Sequence, residues 1–152
     1  MSLRILRLNR EDLESWRWIP FTLERIEKFC HLMDTESEPS DVSNLVRTLF
    51  VVGDPRLGLW IAIEDDQVVA HLLATPEPWG ENRWKYCLIR QAWIDKGVNT
   101  MVESGKVFQE VKVWAKSMGL SRLVILTHRD EGAFMRRWGF RPYKSLMQLS
   151  LD

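Results

Sequence analysis

The stretch Gly132-Ala133-Phe134-Met135-Arg136-Arg137-Trp138-Gly139-Phe140 decides how this chain is read. A short helix over about Glu131 to Trp138 is expected to stop at Gly139, because glycine takes a left-handed helix end without steric cost. Phe140 follows directly and should tuck into the core. Upstream, Arg122 to Thr127 (R-L-V-I-L-T) has the apolar run of a buried strand, and Lys144 to Leu151 makes a final strand.

Working back towards the N-terminus, Thr100 and Glu103 form a T-x-x-E capping box. The helix behind it buries Val107, Val111, Trp114 and Met118, flanked by Phe108 and Ala115, and Gly119 ends it. Trp84 to Ile94 alternates as one long strand with large apolar groups on both faces, which predicts a central strand covered on both sides. Leu59–Ile63 and Val68–Ala74, joined by the acidic turn Glu64–Gln67, have a hairpin signature, and Pro76, Pro78 and Gly80 mark the turn after it. The first fifty residues carry a short strand around Leu3, Ile5, Leu6 and Leu8. A helix capped by Asn9 follows, which Pro20 interrupts or restarts. After the loop Thr35–Ser40 comes a second helix capped by Ser40, with Val42, Leu45, Val46 and Leu49 on one face, ended by Gly53-Asp54-Pro55. The order β-α-α-β-β-β-α-β-α-β predicts an α/β (α+β) mixed sheet: an antiparallel meander, then a strand–helix–strand unit giving a parallel neighbour, with helices on both faces.

Composition limits the function classes. The chain has 152 residues, enough for one domain over residues 1–152 with a real core, and its 45% hydrophobic and 28% charged content is that of a globular protein. Net charge is zero, which argues against a general nucleic-acid binder. Residues 103–152 nevertheless carry nine basic and five acidic side chains, a balance suited to a polyanionic cofactor or simply a solvated face. Cys30 and Cys87 give no disulfide framework and fit buried thiols in a reducing cytoplasm. No apolar run approaches the roughly 18 residues of a membrane span, so no membrane partner is expected. His31, His71 and His128 are scattered, and no metal site is expected.

The element order, with Phe134-Met135-Arg136-Arg137-Trp138-Gly139-Phe140-Arg141 near its end, resembles the GNAT acyltransferases, whose corresponding helix commonly reads Phe-Tyr-x-x-x-Gly-Phe. The resemblance covers residues 55–152 well and residues 1–50 by element order. It implies transfer of an acetyl group from acetyl-CoA, as co-substrate, to the amine of a small-molecule or protein acceptor. It also implies that the long third strand of the meander and its parallel neighbour splay apart, between Leu88–Ile94 and Leu123–Thr127. The cofactor arm would lie in that gap, with the pyrophosphate on backbone N–H groups at the start of the next helix. The implied cofactor-binding residues are Trp93, Ile94, Lys96, Gly97, Val98, Asn99, Thr100 and Phe134. The material from Asn9 to Leu49 would cover the acceptor side.

Two departures stand out. The segment Ile94-Asp95-Lys96-Gly97-Val98-Asn99-Thr100 has one glycine where the family's phosphate cradle has two, and Asp95 and Glu103 bring negative charge to it. Met135 stands where the family places a proton-donating Tyr. Substitute acids are His128, at the rim after the buried strand or else a surface or capping histidine; Tyr143, or else a packed strand-start aromatic; and Tyr86, facing either groove or core. For a base the long strand offers no Glu or Asp before Asp95, while His71 is a base or an interior histidine. The alternative function is a GNAT-fold binding or structural module that has lost catalysis.

Overall fold

The computed structural model describes residues 3–30, 39–79, 83–95, 100–125, 139–141 and 149. The elements run β1 (Arg4–Arg7), α1 (Leu13–Cys30), α2 (Pro39–Val52), β2 (Gly58–Glu64), β3 (Gln67–Trp79), β4 (Arg83–Ile94), α3 (Thr100–Ser117) and β5 (Leu123–Ile125). The strands lie in the order β1-β2-β3-β4-β5; the first four are mutually antiparallel and β5 is parallel to β4. This is the expected meander followed by a strand–helix–strand unit.

The sheet separates two apolar clusters. On one face Trp18, Ile19, Leu23 and Ile26 of α1 and Val46 and Phe50 of α2 pack on Leu59, Ile61, Ile63 and Leu73. On the other, Phe108, Val111, Trp114 and Ala115 of α3 pack on Trp60, Leu72, Ala74, Cys87 and Ile89. Helices on both faces follow from the β2–β4 residues, which are apolar on successive positions rather than alternate ones. Gly119 ends the last turn of α3 at φ 78° and Gly139 takes φ 74°. Phe140 then packs into the α3 cluster with its ring edge-on to Phe108 at 5.8 Å. The expected helix over 131–138 and the last strand over 144–151 lie outside the described residues, apart from position 149.

Several local expectations are corrected. Asp12, not Asn9, caps α1: its carboxylate accepts from the N–H of Glu14, while the Asn9 side chain accepts from the N–H of Glu11 in the preceding turn. Pro20 neither breaks nor restarts the helix, which is continuous from Leu13 to Cys30 because its buried stripe anchors both halves. Helix α2 starts at Pro39, one residue ahead of the expected cap Ser40, since a first-turn position needs no N–H.

The largest correction concerns β3, which continues through Pro76 and Pro78 to Trp79 instead of turning at Pro76. Pro76 lies opposite Cys87, whose N–H bonds to Arg122 of the β5 side. The pair is therefore a non-hydrogen-bonded one, and the Pro76 nitrogen faces the edge that β2 has already left, its last partner being Ala74. A proline costs no ladder bond there.

Candidate functional site

Two irregularities in the sheet shape the region where β4 meets α3. In β3, Ala62 pairs with Ala70 and Ile63 with Val68, so Val69 is an extra, bulged residue. In β4, Gln91 pairs with Leu73 and Ile89 with Ala74, so Arg90 is extra as well. The second bulge changes which face the strand presents: Cys87 and Ile89 point to the α3 cluster, whereas Gln91 points to the α1 side. Parallel pairing of β4 with β5 covers Cys87–Ile89 against Leu123–Ile125. Leu88 and Ile89 are thus paired residues and cannot belong to a gap between the strands, which corrects the expected start of the splay; the residues that remain for it on β4 are Arg90 to Ile94.

Around the β3 bulge lies a buried polar network. Arg25 of α1, 8% exposed, donates from Nε to His71 Nδ1 at 2.9 Å, from Nη1 to the Val68 carbonyl at 3.3 Å, and from Nη2 to the Val69 carbonyl at 3.1 Å. Its Nη2 also donates to Asp95 Oδ1 at 2.8 Å. A bulge turns successive carbonyls towards one side, which is why one guanidinium reaches both. His71 Nε2 lies 2.6 Å from Gln91 Oε1. Because Arg25 can only donate, Nδ1 is the acceptor and the imidazole proton sits on Nε2, donated to Gln91. Burial, and next the Arg25 charge, push the His71 pKa down to about 4. With both nitrogens engaged and the ring 3% exposed, His71 is an interior histidine and not a base for an incoming amine.

A second polar group occupies the same sheet face beyond the end of β2. Arg90 donates from Nε to Thr75 Oγ1 at 2.6 Å and from Nη2 to Glu77, and Thr75 Oγ1 donates to Glu77 at 3.2 Å. Tyr86 pairs directly with Glu77 across the strands, so it shares this face and is half-buried. Glu77, 22% exposed, is a sheet carboxylate that sequence reasoning missed, because Pro76 and Pro78 placed it in a turn.

Of the expected cofactor residues, Trp93 and Ile94 are half-buried at the end of β4, and Thr100 begins α3. Lys96, Gly97, Val98, Asn99 and Phe134 lie outside the described residues, as do His128, Tyr143 and Met135. Arg25 gave no local signal, standing alone on a helix 70 residues from its partner Asp95. An open hollow of about 460 Å³ between α1 and the β2–β3 turn is flanked by Phe21, Glu24, Arg25, Lys28 and Asp66, charges of both signs. Among the described residues no group of three or more His, Cys, Asp or Glu could hold a metal ion, and no helix is long and apolar enough to cross a membrane.

No protein-family model and no curated protein matches the sequence. Solved structures do match the fold over its whole length. A predicted acetyltransferase with acetyl-CoA from Clostridium acetobutylicum has a TM-score of 0.68 at 14% identity, covering 99% of this chain and 97% of its own. An aminoglycoside 6'-N-acetyltransferase from Acinetobacter baumannii has a TM-score of 0.67 at 14% identity, with 99% of each chain covered. Glucosamine-6-phosphate N-acetyltransferase from Arabidopsis thaliana has a TM-score of 0.65 at 15% identity, with 100% of each covered.

Proposed function

The chain has the GNAT acetyltransferase fold, and from that premise we propose that it moves an acetyl group from acetyl-CoA to the amine of a small molecule. The observation that carries the proposal is the junction of β4 and α3. The strand is bulged at Arg90 just past its described parallel pairing at Cys87–Ile89, and five residues after its end at Ile94 comes a helix N-terminus whose free N–H groups favour an anion. Trp93 and Ile94 flank the acyl arm in this reading. The same reading takes Lys96, Gly97, Val98, Asn99, Thr100 and Phe134 as the rest of the cofactor-binding set. That solved neighbours act on an aminoglycoside and on glucosamine-6-phosphate supports a polar, small amine acceptor.

The acceptor would approach on the α1–α2 face. There Glu77, held by Arg90 and Thr75, receives the proton of the attacking ammonium directly or through a water, and Tyr86 lines the same side. The amine nitrogen, once deprotonated, bonds to the thioester carbonyl carbon and the C–S bond breaks; the nitrogen gives up its second proton to solvent, and the thiolate leaves with a proton from His128, Tyr143 or solvent. Placing amine and thioester together supplies most of the acceleration, so a modest base suffices.

The test is calorimetric titration with acetyl-CoA, followed by release of free CoA thiol over a panel of aminoglycosides, amino sugars and polyamines. Saturable binding with thiol release is expected. Binding without turnover on any amine would favour the module that has lost catalysis, and no binding at millimolar acetyl-CoA would remove the proposal. In the active case Glu77→Gln lowers kcat/KM by about 10²-fold, the scale of one general base, while the Kd for acetyl-CoA stays unchanged.

A further inference from the structure

Thr75 and Glu77 stand two apart on β3, beyond Ala74, the last residue that β2 covers. Thr75 is 7% exposed and sits two positions after Leu73, so it faces the α1 side. Arg90 reaches it because the β4 bulge turns two successive side chains to that face: Gln91 donates to the Ile26 carbonyl of α1, and Arg90 Nε donates to Thr75 Oγ1 at 2.6 Å. A guanidinium only donates, so Thr75 accepts there and spends its single hydroxyl proton on Glu77 Oε1, 3.2 Å away. Arg90 Nη2 donates to the same Oε1. Among the described residues both bonds fall on Oε1 and none on Oε2.

Resting on the reading of Glu77 as the base, we propose that Thr75 is the positioning residue that, with Arg90, commits Oε1 to the protein and leaves Oε2 as the oxygen that takes the amine's proton. A proton arriving on Oε1 would have to displace two donors. One arriving on Oε2 leaves both bonds in place, because Oε1 still accepts as a carbonyl oxygen. The N–H bond of the ammonium breaks as the O–H bond at Oε2 forms, and that proton then passes to solvent. The network therefore holds one carboxylate orientation through the whole transfer.

The experiment measures kcat, and KM for acetyl-CoA, with a turned-over amine in a double-variant cycle. Thr75→Val keeps the shape and deletes the hydroxyl; it is expected to lower kcat about tenfold while the KM for acetyl-CoA stays within about twofold. Thr75→Ser deletes the methyl and keeps the hydroxyl, and is expected to stay within about threefold in kcat. A residue that only packed would show the reverse order. In the Glu77→Gln background Thr75→Val should change kcat by less than about twofold, since its partner oxygen no longer serves a base. Full activity in Thr75→Val, a larger loss in Thr75→Ser, or an undiminished loss in the Glu77→Gln background overturns the proposal and leaves the base in place. Full activity in Glu77→Gln removes the base and this proposal together, as does the absence of turnover on any amine. Should Thr75→Val not fold, Arg90→Gln decides: its side chain is partly exposed, and its expected loss of about fivefold in kcat should also vanish in the Glu77→Gln background. A loss that persists there overturns the proposal.

Discussion

His71 shows how one buried side chain makes the whole protein sensitive to acid. Its pKa lies near 4 in the folded chain, against about 6.5 for an unperturbed imidazole, with desolvation the main cause and Arg25 the second. Between those values the unfolded chain binds the extra proton and the folded one does not, so stability rises with pH across that window. The contribution is fully present above pH 6.5 and is lost as pH falls towards 4, amounting to about 3 kcal/mol by linkage. Urea unfolding at intervals from pH 7.5 to 4 should show this slope. His71→Asn offers a non-titrating acceptor to Arg25 and should flatten it; an unchanged slope would place the acid-sensitive group elsewhere.

At the scale of elements, the tightest constraints sit in the β2–β3 hairpin and under α3. Asp65 and Asp66 form a two-residue loop with φ of 51° and 58°, both left-handed, the requirement of a type I′ turn. Glycine is favoured at the second position, so Asp66→Gly should raise stability by about 0.5–1 kcal/mol, read as a higher urea midpoint at constant m. Gly58 is the opposite case. A Cβ there would come within 2.6 Å of the Trp60 ring and 2.9 Å of Trp114, two indoles already packed edge to face at 5.3 Å. A ring must shift to admit the methyl, and Gly58→Ala should cost about 1–3 kcal/mol, seen as a lower Tm. The hairpin was legible from its acidic turn between β-rich runs, and α3 from its 3.6-residue stripe and glycine stop. The length of β3 was not, because proline reads as punctuation unless the edge it faces is known to be vacant. Glu77 was lost with it.

For the molecule as a whole, the β2–β3–β4 meander and the parallel β4–β5 contact were legible because each rests on local periodicity and connection length, whereas the place of β1 beside β2 was not. The Arg25–His71–Gln91–Asp95 network was not, since it joins α1, β3 and the end of β4 through a bulge that no spacing announces. That network also ties the α1–α2 cluster to the strand from which α3 departs, so the two cores should melt as one unit. A ligand held at the β4–α3 junction would then stabilise both. At a free concentration 100 times its Kd, acetyl-CoA should add about 2.7 kcal/mol to unfolding, which for a chain of this size raises Tm by roughly 5–10 °C. Differential scanning calorimetry should show a single transition that moves intact as acetyl-CoA is added. A transition that split, with only the α3 side shifting, would mean that the polar network does not couple the two faces of the sheet.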